Sequence, residues 1–495
     1  MTSVPTTSGS VAGADDLPLV LDAAVPGKAR QIHSAIRTAV LEGRLAAGQR
    51  LPATRSLAEQ LGVRRNAIVE AYEQLRADGL VTSRRGSGTT VAVSVMSTQT
   101  PTPQVAPLEY SSNTAVFGLG RVLVSTSFQR SFRRAVNNRL LTLDPSLLAY
   151  GDPRGRLDLR SQLATYLRVN RGIICDPSQV MVVSGVQQGV RLAIEVIARP
   201  GDEIWMEEPG YPAARNAFAA AGTRIVPVRV DDQGLDVDHG IATSPDAKLA
   251  YVTPSHQYPL GVTMTMTRRR ALLDWASGAD AWIIEDDYDS EYRYEGPPLT
   301  ALAGIDSEQR VIYIGTFSKM LFPALRMGFV VLPPELIERA IAARSAADRF
   351  PPGVLEGPIA DLLATGAISR HVQTMRRHYR AARDAVVDTI NGQSEGTLVA
   401  HRPAQGLHLV VDVVGPDPTD RARDICRATG LQLLLLSQTR TRAATTDGLV
   451  LGFSGDPVAS LAEGARQLAV ASARSARSQA RTEDRRFHAA LPRMP

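Results

Sequence analysis

Lysine is nearly missing from this chain of 495 residues. Lysine and arginine together number 55, and only Lys28, Lys248 and Lys319 are lysine. Almost all positive charge therefore sits on a side chain that keeps its proton. A lysine retained in that background is a candidate for work that arginine cannot do, such as Schiff-base formation after loss of the proton. Cysteine is scarce as well. Cys175 and Cys426 are the only two, which excludes a disulfide framework and a thiolate metal cluster and fits a reducing, cytoplasmic setting. No metal site is expected. No run of about 20 apolar residues occurs, so no membrane span is expected. Residues 1–16 lack the basic start and apolar centre of a secretory signal.

Hydrophobic residues make up 44% and charged residues 21%, the balance of a soluble globular protein. At about 150 residues per unit, the length suggests about three structural units. The formal net charge is only +5. Residues 28–93, however, hold 11 Arg/Lys against 5 Asp/Glu. That concentration points to a polyanionic partner.

Residues 1–24 read as disordered. From Lys28, apolar residues recur at helical spacing at Ile32, Ile36 and Val40. Thr54 caps a short helix with Leu57, Ala58 and Leu61 on one face. Gly62 makes a turn, and a third helix from about Arg64 to Ala77 turns Ile68, Ala71, Tyr72 and Leu75 inward. Two short strands follow around Arg84-Arg85-Gly86-Ser87-Gly88. Helix, turn, helix and basic hairpin form a winged helix-turn-helix pattern over residues 25–93.

Leu51-Pro52-Ala53-Thr54-Arg55-Ser56-Leu57-Ala58, Gly62-Val63-Arg64-Arg65-Asn66 and Ala71-Tyr72-Glu73-Gln74-Leu75 resemble the GntR family of bacterial repressors. The resemblance implies double-stranded operator DNA as partner and a bacterial, nucleoid-associated location. The third helix should enter the major groove by its N-terminal end. Arg64, Arg65 and Asn66 then meet base edges, Arg55 meets a backbone phosphate, and Arg84 and Arg85 on the wing meet phosphates or the minor groove.

Residues 94–108, rich in Ser, Thr and Pro, read as a linker. From 109 to 471, strand-like runs alternate with helical ones, the pattern of a doubly wound α/β domain followed by a smaller α+β lobe. The basic stretch 472–495 reads as a disordered tail.

Chemistry in such sheets gathers at the carboxyl ends of strands. Val311-Ile312-Tyr313-Ile314-Gly315-Thr316-Phe317-Ser318-Lys319 is an apolar strand that ends just before a lysine. Ala281-Trp282-Ile283-Ile284-Glu285-Asp286-Asp287-Tyr288 is another that ends in acids. An Asp there can hold a pyridine nitrogen protonated, and the fork of Arg326 suits a phosphate. Ser184-Gly185-Val186-Gln187 follows a strand and opens a helix whose first N–H groups, at Val186 and Gln187, suit the same phosphate.

Asp286, Tyr288, Ser318-Lys319 and Arg326, in this order, resemble the signature of fold-type I, pyridoxal 5'-phosphate (PLP)-dependent aminotransferases. The resemblance implies that fold, PLP as cofactor and a homodimer. It makes Lys319 the Schiff-base lysine, Asp286 the partner of the ring nitrogen, Tyr288 a donor to the ring hydroxyl and Arg326 the phosphate clamp. Tyr211 would stack on the ring. Thr316 and Ser318 would offer hydroxyls to the phosphate, and Tyr150 would reach the phosphate of a neighbouring subunit.

Thr253-Pro254-Ser255-His256-Gln257 and Glu285-Asp286-Asp287-Tyr288-Asp289-Ser290-Glu291, beside the GntR motifs, resemble the MocR subfamily. In it a GntR reader is fused to an aminotransferase-like domain. Many amino-acid-processing relatives hold the substrate carboxylate with an Arg near the last strand. Here Gly448-Leu449-Val450-Leu451-Gly452-Phe453 has none, although Arg215 or Arg402 could substitute. The expectation is a DNA-binding regulator, not an enzyme, that senses PLP and controls PLP synthesis genes, as PdxR-type members do. Two alternatives stay open: a regulator that answers to an amino compound held on PLP, and a working aminotransferase with a DNA-binding appendage.

Overall fold

The computed structural model describes residues 19, 21–22, 26–84, 88–92, 115–142, 148–442 and 445–490. The linker 94–108 and most of the N-terminal stretch 1–24 lie outside them. The chain divides into two compact units, Met1–Tyr110 and Ser111–Pro495.

In the first unit, α1 (Lys28–Leu41), α2 (Thr54–Gln60) and α3 (Arg65–Ala77) precede a hairpin of β1 (Val81–Arg84) and β2 (Gly88–Val91). Ile32, Ile36, Leu57, Ile68, Ala71 and Leu75 form a single core and are all but inaccessible. Each large apolar side chain buried there stabilises the unit by about 1.5–3 kcal/mol. Gly62 takes a left-handed φ of 61° in the turn between α2 and α3, a conformation that glycine adopts at no steric cost. The buried Tyr72 hydroxyl donates to the carbonyl of Pro52 at 2.9 Å. Part of the stretch expected to be disordered is ordered. Leu19 and Leu21 pack on this core, and the Asp22 N–H donates to Gln31. Alternating leucines give that segment an apolar face to bury.

The second unit holds an eight-stranded sheet of β3 (Val180–Val183), β4 (Glu203–Glu208), β5 (Arg224–Asp231), β6 (Gly234–Leu235), β7 (Leu249–Val252), β8 (Trp282–Asp287), β9 (Val311–Thr316) and β10 (Gly328–Val331). Its order is β3-β10-β9-β8-β7-β4-β5-β6. The run β9-β8-β7-β4-β5 is parallel. β10 departs from the expected pattern and runs antiparallel to both β9 and β3. Residues 317–327 alone join β9 to β10, fewer than the dozen or more that a crossover needs. Helices cover both faces, so β8 and β9 both open as apolar runs, Trp282-Ile283-Ile284 and Val311-Ile312-Tyr313-Ile314. Ile283 and Ile284, neighbours on β8, enter opposite cores, as a period of two requires.

The smaller lobe is an antiparallel sheet of β11 (Leu398–Ala400), β12 (His408–Val413), β13 (Leu434–Leu435) and β14 (Gly448–Gly452). The helices Ala367–Gln393, Pro418–Thr429 and Val458–Ala490 pack with it. The last helix corrects the expected tail, because residues 472–490 continue it. Leu461, Ala465 and Leu468 are fully buried and supply the costly helix nucleus. The Ala- and Arg-rich residues beyond them then only propagate it.

Candidate functional site

In the first unit, Arg64 stands at the N-cap of α3, and Arg65 and Asn66 open the helix. All three are exposed, as are Arg55 on α2 and Arg84 on β1. No side chain caps α3, so its first N–H groups are free of a capping partner. The Arg65 guanidinium donates to the Thr54 hydroxyl at 3.2 Å, which braces it against the start of α2. The expected reading head is thus one exposed basic end of a helix. Arg85 lies outside the described residues.

In the second unit, a cavity of about 320 Å³ opens at the carboxyl edge of the parallel strands. Nine expected residues line it: Val186, Gln187, Tyr211, Asp286, Tyr288, Thr316, Ser318, Lys319 and Arg326. Each arrives by a strand end. Val186 and Gln187 begin the helix after β3, and Tyr211 follows β4. Asp286 is the penultimate residue of β8, with Tyr288 just beyond that strand, while Thr316 ends β9 and Ser318 and Lys319 lie in the helical turn Phe317–Met320 that follows it. Because β10 runs the other way, its beginning lies on this same edge, and that brings Arg326 in.

One end of the cavity suits a phosphate. Gly185, the N-cap of the helix Val186–Ile197, has no side chain. A methyl group built on it would stand 3.7 Å from Nη1 of Arg326. Arg326 itself has a left-handed φ of 50°, a strained conformation that tends to be kept at functional sites. The Ser318 N–H donates to the Thr316 hydroxyl at 3.1 Å.

Electrostatics suit a protonated ring beside a neutral amine. Burial pushes Asp286 up to about 7, helped by Asp287 and Asp289 and opposed by Tyr251 and Lys319. Tyr251 donates to Asp286 Oδ2 at 2.5 Å, and Oδ1 is buried without a partner. An acceptor left bare on a cavity wall fits a ring N–H, since such an atom otherwise costs about 1–3 kcal/mol. Burial lowers the Lys319 amine below its usual value, against the pull of Asp289 and Asp286. A lowered value favours the unprotonated nucleophile.

Several lining residues carried no sequence expectation as site residues: Leu119, Gly120, Thr253, Tyr258, Pro323, Leu407 and His408. Burial, then His256, pushes the His408 imidazole down to about 3, so it is neutral. His256 Nδ1 lies 3.0 Å from Asp289 Oδ2, and the Tyr288 hydroxyl donates to the carbonyl of His256 at 2.9 Å. Asp289 also accepts from the Leu407 N–H, which ties the smaller lobe to this wall. His256, quoted above only as part of a motif, therefore orients Tyr288.

Tyr150 stands apart. It is 79% exposed, packs edge-on against Phe350 and does not line the cavity. β14 brings no cation, as its five residues are apolar and buried. Neither suggested substitute lines the cavity: Arg215 donates to the Thr439 carbonyl, and Arg402 is held by Asp384 and Asp388. Among the described residues around the cavity, Lys319 and Arg326 are the cationic ones.

Comparison with known proteins agrees with both halves. Residues 28–91 match the family of bacterial regulatory proteins of the gntR type, and residues 124–424 match aminotransferase class I and II. The chain is 34% identical over 485 residues to the "Probable rhizopine catabolism regulatory protein MocR" of Rhizobium meliloti, covering 91% of this chain and 95% of that one. It is 33% identical over 441 residues to the pyridoxine biosynthesis transcriptional regulator PdxR of Corynebacterium glutamicum, covering 88% and 94%. Among solved structures, the kynurenine aminotransferase of Pyrococcus horikoshii superposes with a TM-score of 0.67 at 27% identity, covering 74% of this chain and 92% of that one.

Proposed function

The chain belongs to the MocR-type transcription regulators, in which a GntR reader precedes an aminotransferase class I and II domain, and we propose that it reads operator DNA under the control of PLP bound in the cavity of that domain. The observation that carries this reading is the convergence of Lys319, Asp286, Tyr288 and Arg326 on one cavity. No helix among the described residues is long and apolar enough to cross a membrane.

PLP supplies an aldehyde to an amine and an electron-withdrawing ring. The chain's own residues do the rest. Lys319 offers the amine. Asp286 holds the proton on the ring nitrogen. Tyr288, held in place beside His256, would turn its one proton from the His256 carbonyl to the ring hydroxyl, and Tyr211 would cover a ring face. Arg326, the N–H groups of Val186 and Gln187, and the hydroxyls of Thr316 and Ser318 hold the phosphate. A second copy of the chain would bring Tyr150 to that phosphate, and a homodimer would read two half-sites. PLP then changes DNA affinity by binding two arrangements of the protein unequally.

The cation inventory supports a sensor over an enzyme. Arg326 would be taken by the phosphate and Lys319 by the aldehyde, which leaves no further cation for an α-carboxylate among the described residues that line the cavity in one chain. The name of the Corynebacterium relative supports PLP synthesis genes as the target. The name of the Rhizobium relative supports the second reading, an amino compound acting together with PLP.

The test has two arms. Binding of the chain's own upstream DNA is compared with random DNA at physiological salt, and turnover is screened with amino donors and keto acids. Preference for the upstream DNA without turnover supports the reading. No preference sinks it, and multiple turnover makes the domain an enzyme.

A further inference from the structure

Tyr251 lies on β7 and is 1% exposed. It faces Ile284 across the parallel pairing of β7 with β8. Asp286 is two residues further along β8 and therefore on the same face. The Tyr251 ring packs edge-on against Phe218 within the core that also holds Val190 and Ile314. Its hydroxyl reaches past that core to Asp286 Oδ2 at 2.5 Å. The carboxylate is thus divided: one oxygen is held from below, and the other has no partner on the cavity wall.

The surroundings show what this single bond has to offset. Glu207, on β4, is a buried neighbouring carboxyl. Asp287, at the end of β8, and Asp289, just beyond it, add like charge, and Lys319 opposes them. The phenols of Tyr211 and Tyr288 also lie within electrostatic reach. Glu207 has its own donors in Thr253 and Gln257. Asp286 has one among the protein's described side chains, Tyr251. A charge-assisted O–H···O bond of this length is about twice as strong as a neutral one.

We propose that Tyr251 is a positioning residue: its hydroxyl holds Asp286 ionised and in a fixed plane, so that the free oxygen meets the ring nitrogen of PLP. The inference rests on the PLP reading above. It separates two jobs that one acid would otherwise do alone. Asp286 meets the ring, while Tyr251 sets the pH above which Asp286 can do so.

The experiment is an absorbance titration of Tyr251→Phe with PLP across a pH series, in chains carrying Asp286 and in chains carrying Asp286→Asn. The substitution removes one oxygen and keeps the ring against Phe218. With Asp286 present, we expect the visible band to form with roughly tenfold weaker affinity and its pH midpoint to move upward. In the Asp286→Asn background the same change should cost less than about twofold, because the interaction energy is shared by the pair. Phe218→Leu, which loosens the same packing and keeps the hydroxyl, should leave the midpoint in place. An unchanged affinity and midpoint in Tyr251→Phe would overturn the proposal, as would an equal loss in both backgrounds. A wild-type chain with no visible band would sink the cofactor reading and this inference with it.

Discussion

The ε-amine of Lys319 lies 3.4 Å from the carbonyl oxygen of Gly120, almost two hundred positions earlier in the chain. A methyl group on Gly120 would stand 2.7 Å from that amine, and Gly120 has a φ of +80°. Gly120→Ala therefore does two things. It adds left-handed strain of about 1–2 kcal/mol, and it pushes the amine from its place. The expected result is a ligand-free protein that still melts cooperatively and a visible band with PLP that is much reduced. A melting scan beside a PLP titration checks both.

Arg326 stands beside Gly185, the N-cap of the helix Val186–Ile197. Arg326→Ala removes charge-assisted bonds worth about 1.5–3 kcal/mol. PLP affinity should fall roughly 10- to 100-fold. Arg326→Lys should recover only part of it, because an ammonium cannot reproduce the planar fork. Equilibrium dialysis against PLP measures each. The free aldehyde pyridoxal, which has no phosphate, should be indifferent to the change.

Asp286, raised to about 7 by burial, makes PLP binding pH-dependent near neutrality. Below that value the acid is protonated and cannot pair a charged ring nitrogen. Affinity should therefore drop as the pH falls from about 8 to about 5, and the part of the drop due to this group should vanish in Asp286→Asn. The ligand-free protein should show the opposite trend. A raised acid contributes stability that is full below its unfolded value near 3.8 and is lost as the pH rises through about 7. Asp286→Asn should flatten that loss in melting scans.

The proposed reading head should separate specific from general contacts. Arg65→Ala or Asn66→Ala should cost about 1–3 kcal/mol on the chain's own operator and much less on random DNA. Arg55→Ala should weaken both alike and lower the salt dependence by about one counterion. Gel-shift titrations at several salt concentrations distinguish the two patterns.

How far the sequence carries the site depends on how local each contribution is. Lys319, Asp286, Tyr288 and Arg326 stand at strand ends with short spacings, so a one-dimensional reading finds them. Tyr251 looks like one more apolar strand residue until β7 is set beside β8. Gly120 and His408 reach the cavity from distant segments, and no spacing rule links them to Lys319. The antiparallel β10 shows in the sequence only through its short connection to β9, residues 317–327, a weaker signal than the alternation of strand-like and helical runs. The helix running to Ala490 is hard to see in residues 472–490 because their charge and Ser content match disorder, while the leucines that anchor it, Leu461 and Leu468, lie upstream. Tyr150 remains outside the cavity of a single chain.

The most direct measurement is the affinity of the full chain for its own upstream DNA with and without PLP, for the wild type and for Lys319→Ala. The account predicts that PLP shifts the wild-type affinity by about 5- to 150-fold, the usual range of site-to-site coupling, and that Lys319→Ala shows no shift. Wild-type DNA affinity that is the same at zero and saturating PLP, with a visible band proving PLP bound, would contradict it.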